Sequence, residues 1–410
     1  MHSLQIYDPR ERALVGLADR LLTIGATAAR PFRRRTRPDP PRRILLLRLE
    51  RIGDLLMALP AVRDVRTLAP AAEIDLAVGS WNAALAAAAP YVNRVEQVDA
   101  PWLARGDARR GSSLVSAARR WRQRGYDLAI NFEPDVRTNL LLAASGARWT
   151  SGWVSGGGGA LLDLGLEFDP KSHTSDNARR LIAATFERSA ALSTDPLLVI
   201  PEPARRAARD RLSAPGRGPL VGIHVSGGRL VKQWDPERFA EVARRLAVER
   251  GATIVLTGAP ADRPMVDVVK AGVPAGQAID VAGDIDLPEL AAVLEQLDLL
   301  LTGDTGPMHL ASAVGTPIVA VFGPSDPVRY APSGAADRII RVDLPCSPCN
   351  RIRLPPERCV GHIPECLTSI PAARVFDAVL ASLDQISADA GSSASRRQPS
   401  EARPANHATA

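Results

Sequence analysis

Short apolar runs and longer amphipathic stretches alternate along the chain from residue 43 onward. The first run, residues 44–47, is apolar at every position, which is typical of a parallel strand covered on both faces. Similar runs predict strands at 74–78, 95–98, 128–132, 220–225, 253–256, 278–281, 299–301 and 318–322. Helical spacing predicts helices at 55–68, 81–89, 177–190, 236–249, 264–270, 287–297 and 307–314. This order predicts an α/β protein with two Rossmann-like domains that face a central ligand cleft.

Breaks in this pattern divide the chain into parts that are, in order, residues 1–42, 43–200, 201–218, 219–386 and 387–410. The first is predicted as an amphipathic helix over 10–29 followed by a basic, proline-rich arm. The second and fourth are the two Rossmann-like domains, and the third, rich in Pro, Arg and Gly, is predicted as a linker. The last part lacks an apolar period and is predicted to be disordered. Within the first domain, the glycine-rich residues 151–159 predict a mobile loop.

The N-terminal part concentrates both apolar and positive side chains. An apolar stripe along the predicted helix consists of Leu14, Leu17, Leu21, Leu22 and Ile24. Five arginines lie within residues 30–37, and they make a local contribution to the formal net charge of +6. Such a block is either a solvated, mobile arm or a segment that binds anionic lipid headgroups or nucleic acid. The two interpretations stay open at this point.

The sequence lacks two patterns that would direct a protein into or across a membrane. The chain has no run of the ~18 apolar residues that a membrane span needs, and its N-terminus lacks the signal-peptide pattern. We therefore expect a cytoplasmic protein that can be peripheral at the inner face of the inner membrane. We expect no nucleic acid among its partners.

A candidate catalytic residue follows the first predicted strand, in the motif that runs from Arg48 to Asp54. Gly53 would allow a tight turn there. Asp54 then stands at the start of the next helix, at the carboxyl edge of the sheet. A carboxylate in that place can cap the helix or can act as a general base that faces the cleft. This motif alone does not decide between them.

A second motif, Leu301–Leu310, joins a predicted strand to a predicted helix through a glycine-flanked turn. Asp304, Thr305 and Gly306 form the turn, where free backbone N–H groups at the helix start would bind a phosphate or diphosphate. His309 lies four residues after Thr305 and so on the same helix face. The alternative is an ordinary helix start that Asp304 caps.

A third motif also leaves the carboxyl end of a predicted strand, between His224 and Trp234. Ser226 and Gly227 can offer backbone N–H groups to an anion, and Arg229 and Lys232 can offer positive charge. A basic loop of this kind is often only solvated. Because the second and third motifs lie on the same predicted domain and suit the same ligand, they support each other.

The cysteines form the fourth motif. All of them lie between residues 346 and 366, at Cys346, Cys349, Cys359 and Cys366. The spacing fits a tetrahedral structural site for zinc or iron, and His362 is a spare candidate ligand. Disulfides are less expected in the cytoplasm, and four unligated thiols are the other alternative.

Taken together, these residues resemble glycosyltransferase family 9, the bacterial lipopolysaccharide heptosyltransferases. The resemblance covers about residues 43–370. Its pieces are Arg48, Ile-Gly-Asp54 and Pro60-Ala near the start, and Gly303–His309, Gly-Thr-Pro317, Phe-Gly-Pro324 and Asp-Pro327 near the end.

The resemblance implies a GT-B fold and inverting transfer that is independent of a catalytic metal. It implies ADP-heptose as donor and a lipid-linked or cell-surface glycan, such as the lipopolysaccharide core, as acceptor. Asp54 matches the family's catalytic base, and Lys232 matches the lysine that binds the donor's phosphates. Asp304, Thr305 and Gly306 match its phosphate-side loop. Asp262 lies near the place of an acidic residue that contacts the nucleotide ribose.

Two features leave the substrate open. Glu50 and Arg51 stand where the lipopolysaccharide enzymes often carry two serines. A branch of the family that modifies autotransporter proteins carries a four-cysteine iron site, and the cysteines here resemble it. Outside the transferases, the alternatives are a sugar-nucleotide epimerase of the same fold and a membrane-tethered binding scaffold without enzymatic activity.

Overall fold

The computed structural model describes residues 4–6, 8–29, 36–103, 114–213, 218–332, 334 and 336–395. An N-terminal helix, α1 (Pro9–Ala29), precedes the first domain. The strands of that domain are β1 (Arg43–Leu47), β2 (Glu73–Val78), β3 (Arg94–Gln97), β4 (Leu128–Asn131), β5 (Trp149–Trp153) and β6 (Leu164–Leu166). Its helices are α2 (Ile52–Leu68), α3 (Ala83–Ala87), α4 (Leu114–Arg124), α5 (Val136–Ala144) and α6 (Thr174–Phe186).

The second domain repeats this plan. Its strands are β7 (Leu220–His224), β8 (Thr253–Thr257), β9 (Ala278–Asp280), β10 (Leu299–Gly303), β11 (Ile318–Val321) and β12 (Arg338–Ile340). Helices α7 (Glu202–Arg211), α8 (Pro236–Arg250), α9 (Arg263–Gly272) and α10 (Leu287–Glu295) come first along the chain. They are followed by α11 (Gly306–Val314), α12 (Pro327–Tyr330), α13 (Glu365–Thr368) and α14 (Ala372–Ser395).

Both sheets are parallel and share one topology. The first has the order β3-β2-β1-β4-β5-β6, and the second has the matching order β9-β8-β7-β10-β11-β12. In each sheet the strand order reverses between the two central strands, β1 and β4 or β7 and β10. Ligands of such sheets bind outside the carboxyl ends of the strands at that switch point. The topology therefore fixes one candidate region on each domain.

The central strands are covered on both faces. Ile44, Leu45, Leu46 and Leu47 of β1 have no exposed surface, as the unbroken apolar run predicts. The apolar core is continuous between the domains, because residues of α2 belong to the same buried cluster as residues of α10 and α11. The predicted α/β class with two Rossmann-like domains is confirmed.

Three segments differ from the prediction. Residues 201–218, expected to be a linker, contain α7, whose Arg205 and Arg211 form ion pairs with Glu295 and Glu289 around α10. The tail expected to be disordered from residue 387 is helical to Ser395, because α14 continues from an anchored start at Val375 and Phe376. The rest of the tail lies outside the described residues.

The third difference concerns the glycine-rich residues 151–159, expected to be a mobile loop. They complete β5 and then turn inside the fold, with Ser155 buried. Asn139 donates hydrogen bonds to the carbonyl oxygens of Trp153 and Gly157, at 2.9 and 2.8 Å. A Cβ atom on Gly156 would overlap the Pro134 carbonyl. Glycine is needed there for close packing, so its presence did not indicate mobility.

Helix α1 packs on this turn through one face. The Asp19 carboxylate accepts a hydrogen bond from the Gly158 N–H at 2.7 Å, and the Val15 side chain lies against Gly157. The opposite face carries Leu14, Leu17, Leu21 and Ile24, which are 70%, 58%, 63% and 68% exposed. Among the described helices, none has both the length and the apolar character that crossing a bilayer requires.

Candidate functional site

Four loops leave the carboxyl ends of the central strands and meet between the domains. The loops after β1 and β4 carry residues 48–54 and 132–135 on the first domain. The loops after β7 and β10 carry residues 225–234 and 304–306 on the second. The sequence predicted candidate residues in three of these loops, and the structure adds the loop after β4.

Asp54 lies in the first turn of α2, where its carboxylate has two partners. Its Oδ2 atom accepts a hydrogen bond from the Arg51 N–H at 3.2 Å, and its Oδ1 atom lies 3.2 Å from Nη2 of Arg48. The side chain remains 29% exposed. Asp54 therefore contributes to the helix start and still presents its carboxylate to the cleft, so the two interpretations of this residue do not exclude each other.

Gly53 does not form the tight turn that the sequence predicted. It belongs to α2, and the imidazole of His309 from α11 packs directly on it. A Cβ atom at Gly53 would stand 2.6 Å from Cδ2 of His309. On the other side of this contact, a Cβ atom at Gly306 would meet Ile52 at 3.4 Å. The two glycines let the N-terminal ends of α2 and α11 approach each other across the domain boundary.

Arg48 and Glu133 support the loop that presents Asp54, and sequence reasoning did not assign either one. Arg48 is buried, and it donates a hydrogen bond to the Phe132 carbonyl at 2.7 Å and contacts Glu50 at 3.2 Å. The Glu133 carboxylate accepts hydrogen bonds from the backbone N–H groups of Leu49 and Glu50. Glu133 could have been noticed because it follows a central strand at the carboxyl edge of the sheet.

Two carboxyl groups around this loop, those of Glu133 and Glu50, have pKa values above their ordinary range. Burial, followed by the charge of Glu50, raises the pKa of Glu133 to about 8. Burial and the charge of Asp54 also raise the pKa of Glu50, against the opposing effect of Arg48 and Arg353. Arg48 is thus the positive charge that the acidic groups around Asp54 share.

The loop after β7 has a defined backbone. The Gln233 side chain accepts a hydrogen bond from the Gly227 N–H at 2.6 Å and donates to the carbonyls of Val225 and Trp234, both at 2.7 Å. A Cβ atom at Gly227 would overlap the backbone of Lys232, so the loop folds back on itself there. The Ser226 hydroxyl accepts from the Gly228 N–H at 3.1 Å. Arg229 is exposed.

Lys232 and Asp304 bring the two predicted anion loops together. The Lys232 ammonium lies 2.7 Å from Oδ2 of Asp304, whose side chain is buried. Burial alone would raise the pKa of Asp304, but Lys232, His309 and Ser325 together lower it below its ordinary value. Burial also lowers the pKa of His309 to about 4, so His309 is neutral at pH 7. The positive charge in this region therefore comes from Lys232.

The start of α11 has no side-chain cap. Thr305 is the capping residue, but its side chain makes no capping hydrogen bond and instead lies 3.2 Å from the Thr302 hydroxyl. Asp304 pairs with Lys232 and does not cap the helix, so that alternative is wrong. No capping side chain therefore occupies the first N–H groups of α11, which is a condition for an anion site there.

Asp262 lies in the turn that joins β8 to α9, and β8 is the neighbour of the central strand β7. Its carboxylate accepts a hydrogen bond from the Ala259 N–H at 2.8 Å. It also acts on His224, whose pKa burial lowers to about 4. This hydrogen bond gives Asp262 a structural role that needs no ligand. Its contact with a nucleotide ribose remains a prediction.

The four cysteines share one region that packs on the loop after β11. The Cys349 N–H donates to the Pro324 carbonyl at 3.1 Å. Burial, together with Cys349, Cys359 and Cys346, raises the pKa of the Cys366 thiol to about 11. All four are free thiols. Within the part of the chain that the structure describes, no three His, Cys, Asp or Glu side chains converge as metal ligands do, so the predicted tetrahedral centre is not assembled.

Comparison with known proteins places these features in a family. A family model described as glycosyltransferase family 9 (heptosyltransferase) matches residues 114–358, which is more than half of the chain. The lipopolysaccharide heptosyltransferase 3 of Escherichia coli is 26% identical over 285 residues, which are 68% of this chain and 82% of that protein.

Two solved structures have the same fold. A family 9 glycosyltransferase from Veillonella parvula superimposes with a TM-score of 0.69 at 26% identity, covering 84% of this chain and 97% of that one. The E. coli ADP-heptose lipopolysaccharide heptosyltransferase II superimposes with a TM-score of 0.67 at 21% identity, covering 84% and 99%. The GT-B fold implied by the motifs is thereby confirmed.

Proposed function

Because the chain belongs to glycosyltransferase family 9, it is a glycosyltransferase, and we propose that it transfers heptose from ADP-heptose to a sugar of a lipopolysaccharide core. The observation that carries this proposal is the contact of His309, from α11 of the second domain, with Gly53, the residue before Asp54. Asp304, in the turn before α11, pairs with Lys232, so the candidate base and the candidate phosphate-binding charge lie on the two sides of one contact between the domains. The relatives named above supply the identity of donor and acceptor class. They do not favour an epimerase.

In the proposed reaction Asp54 accepts the proton of the acceptor hydroxyl. The oxygen forms a bond to the anomeric carbon on the face opposite the nucleotide. The bond from that carbon to the diphosphate oxygen breaks, and its electron pair leaves with ADP. Lys232 and the first N–H groups of α11 would bind the charge that the diphosphate gains. Ser226, Gly227 and Arg229 would surround the same group.

Asp304 has a different part in this proposal. A carboxylate repels a diphosphate, so Asp304 would act through Lys232, which it holds at 2.7 Å. Similarly, a neutral His309 would hold α11 against Gly53 and would supply no positive charge. Both are positioning residues here.

The donor can be tested without knowing the acceptor. We expect ADP and ADP-heptose to raise the melting temperature, and UDP and GDP at the same concentration to raise it less because they should bind more weakly. With lipopolysaccharide that lacks core heptose added, heptose should appear on the lipopolysaccharide together with an equal amount of ADP. Conversion of ADP-heptose without any acceptor would indicate an epimerase. Binding without either reaction would indicate a scaffold.

We also propose that α1 lies on an anionic membrane surface. Its exposed leucines and Ile24 form an apolar face that no part of the described protein covers, and the arginines of residues 30–37 follow it in the sequence. Apolar side chains and nearby positive charge are the two signals that bind an interfacial helix to anionic lipids.

A double substitution on α1 tests this attachment. Leu17→Ser with Leu21→Ser should leave the inner face docked, because Val15 and Asp19 are unchanged, and should reduce cosedimentation with phosphatidylglycerol-containing vesicles several-fold. Raising the salt concentration should weaken cosedimentation of the unaltered protein. Leu192→Ser is a matched control, since Leu192 is 84% exposed and distant in sequence from α1. Equal cosedimentation of all three proteins would show that α1 does not bind membranes.

The four cysteines stay a predicted structural metal site. We expect about one zinc or iron ion per chain, because the four cysteines lie within residues 346–366 and a closed four-sulfur site would fix a loop that has little apolar core. Cys349→Ser should abolish it, whereas Ser347→Ala in the same loop should retain it. Elemental analysis of protein without an affinity tag measures the ion. Metal-free protein with an unchanged melting temperature would contradict the prediction.

A further inference from the structure

The cysteine region, residues 346–366, is fixed at both ends to the loop that follows β11. Near its start, the Ser347 hydroxyl donates a hydrogen bond to the Gly323 carbonyl at 2.8 Å. At its other end, Cys366 and Leu367 are buried in the apolar core of the second domain. A Cβ atom on the same Gly323 would overlap the Leu367 side chain. The residues between these two ends are therefore presented from a fixed base on the second domain.

Between these ends, Arg353 reaches across to the first domain. Its Nη2 atom lies 3.9 Å from Oε1 of Glu50, in the loop after β1. The Arg353 side chain is 67% exposed and the Glu50 side chain is 25% exposed, so the pair lies at the edge of the cleft. The second domain thus supplies a positive charge to the loop that carries Asp54.

The backbone of Glu50 is held on three sides. Its N–H donates a hydrogen bond to the Glu133 carboxylate at 2.9 Å. Its carbonyl accepts hydrogen bonds from the ring N–H of Trp81 and from the Asn82 side chain, both at 2.9 Å. Glu50 therefore cannot move away from the loop of Asp54 without breaking these bonds.

Glu50 and Asp54 share one guanidinium group on the first domain, that of Arg48. Its Nη1 atom lies 3.2 Å from Oε2 of Glu50, and its Nη2 atom lies 3.2 Å from Oδ1 of Asp54. Glu133 has a pKa of about 8 and so adds no full negative charge at pH 7. Two ionised carboxylates with one buried cation leave one negative charge unbalanced, which is unfavourable where little water reaches. Arg353 supplies the second cation.

We propose that Arg353 is a positioning residue for glycosyl transfer, because it neutralises Glu50 and so leaves Arg48 to hold the Asp54 carboxylate in place. Arg353 comes from the second domain and Asp54 from the first. The support for the base is therefore complete only when the two domains are in contact. This inference rests on the proposed function for the statement that Asp54 is the general base.

Arg353→Gln tests the inference because it removes the charge and keeps a polar side chain. Two carboxylates would then compete for Arg48. With ADP-heptose and lipopolysaccharide that lacks core heptose, the turnover number should fall about three- to fivefold, the upper range for one partly exposed ion pair. The acceptor KM and the dissociation constant of ADP should be unchanged, since Arg353 contacts neither substrate in this inference. The melting temperature should also be unchanged, because the pair is largely exposed.

Two further variants examine the charge at position 353. Arg353→Lys keeps the positive charge and should keep most of the turnover number. Arg351→Gln is the matched control, because it removes the same charge two positions earlier in the cysteine region, where Arg351 is exposed. It should leave the turnover number unchanged.

A double variant identifies the partner of Arg353. Glu50→Gln removes the charge that competes with Asp54 for Arg48. Adding Arg353→Gln to Glu50→Gln should therefore lower the turnover number no further, whatever the rate of Glu50→Gln alone. An equal loss with and without Glu50→Gln, or a raised acceptor KM, would show that Arg353 acts directly on a substrate and that the inference is wrong.

The outcomes also separate this inference from the proposed function. If the unaltered protein transfers heptose and Arg353→Gln turns over at the same rate, Arg353 does not position the base and the proposed function stands. An equal loss of turnover in Arg351→Gln would likewise overturn the inference, because any positive charge of the region would then have the same effect. If the unaltered protein neither binds ADP nor transfers heptose, the proposed function fails and this inference fails with it.

Discussion

Replacing Asp54 by Asn should reduce heptose transfer at least ~100-fold, which is the usual contribution of a positioned general base. An amide cannot accept the proton of the acceptor hydroxyl, although it can still accept the hydrogen bond from the Arg51 N–H. Helix α2 should therefore form as before, and the affinity for ADP should be retained. The measurements are the turnover number with saturating ADP-heptose and the calorimetric affinity for ADP.

Asp286→Asn provides the comparison for this change. The Asp286 carboxylate accepts a backbone hydrogen bond at 2.8 Å from the N–H of Glu289 in the first turn of α10, and Asn is an equally good cap. Its transfer rate should match that of the unaltered protein. A well-folded Asp54→Asn protein with normal turnover would rule out Asp54 as the base.

The second large effect is expected at Lys232. Changing it to Met should weaken binding of ADP by about 10- to 100-fold, since hydrogen bonds to charged groups contribute about 1.5–3 kcal/mol. The same change leaves Asp304 buried without its partner, so the melting temperature should also fall. Calorimetry with ADP and thermal unfolding measure the two effects.

A double variant separates ligand binding from stability. Lys232→Met combined with Asp304→Asn removes the unpaired charge, so it should recover much of the lost stability while ADP binding stays weak. Lys270→Met removes another lysine of the same domain, one that is 3.0 Å from Asp280, and should leave ADP affinity unchanged. Normal ADP affinity in both Lys232 variants would refute the shared phosphate site.

The acidic and basic side chains of the cleft are divided between the two domains. The acidic groups Asp54, Glu50 and Glu133 lie on the first domain around Arg48, and Lys232 lies on the second with the uncapped start of α11. In the proposed reaction, this arrangement would attract the negatively charged donor to the second domain and keep the proton acceptor on the first. Arg353, from the cysteine region, approaches Glu50 at 3.9 Å and connects that region to the loop of Asp54.

The sequence by itself determined the strands and turns, because these depend on residues that are close together along the chain. A run of four apolar residues such as 44–47 is typical of a parallel strand covered on both faces, and the turn residues that follow such runs separate strands from helices, so β1 and its counterparts were predictable. Turns that carry Gly, Asp and Thr after such strands predicted where ligand loops lie, because parallel strands all end at one edge. The candidates Asp54, Lys232 and Asp304 came from that reasoning.

Only the tertiary structure decided which of these groups meet. Asp304 is paired with Lys232, which lies 72 positions earlier in the sequence (304 − 232 = 72). No local sequence pattern encodes a contact over that separation. The glycines at 53 and 156 had local explanations that were wrong, because the atoms that require them belong to His309 and Pro134. Likewise, the exposure of the outward face of α1 depends on what packs nearby. A sequence records each residue's preferences, whereas burial and pairing are properties of residues brought together by the fold.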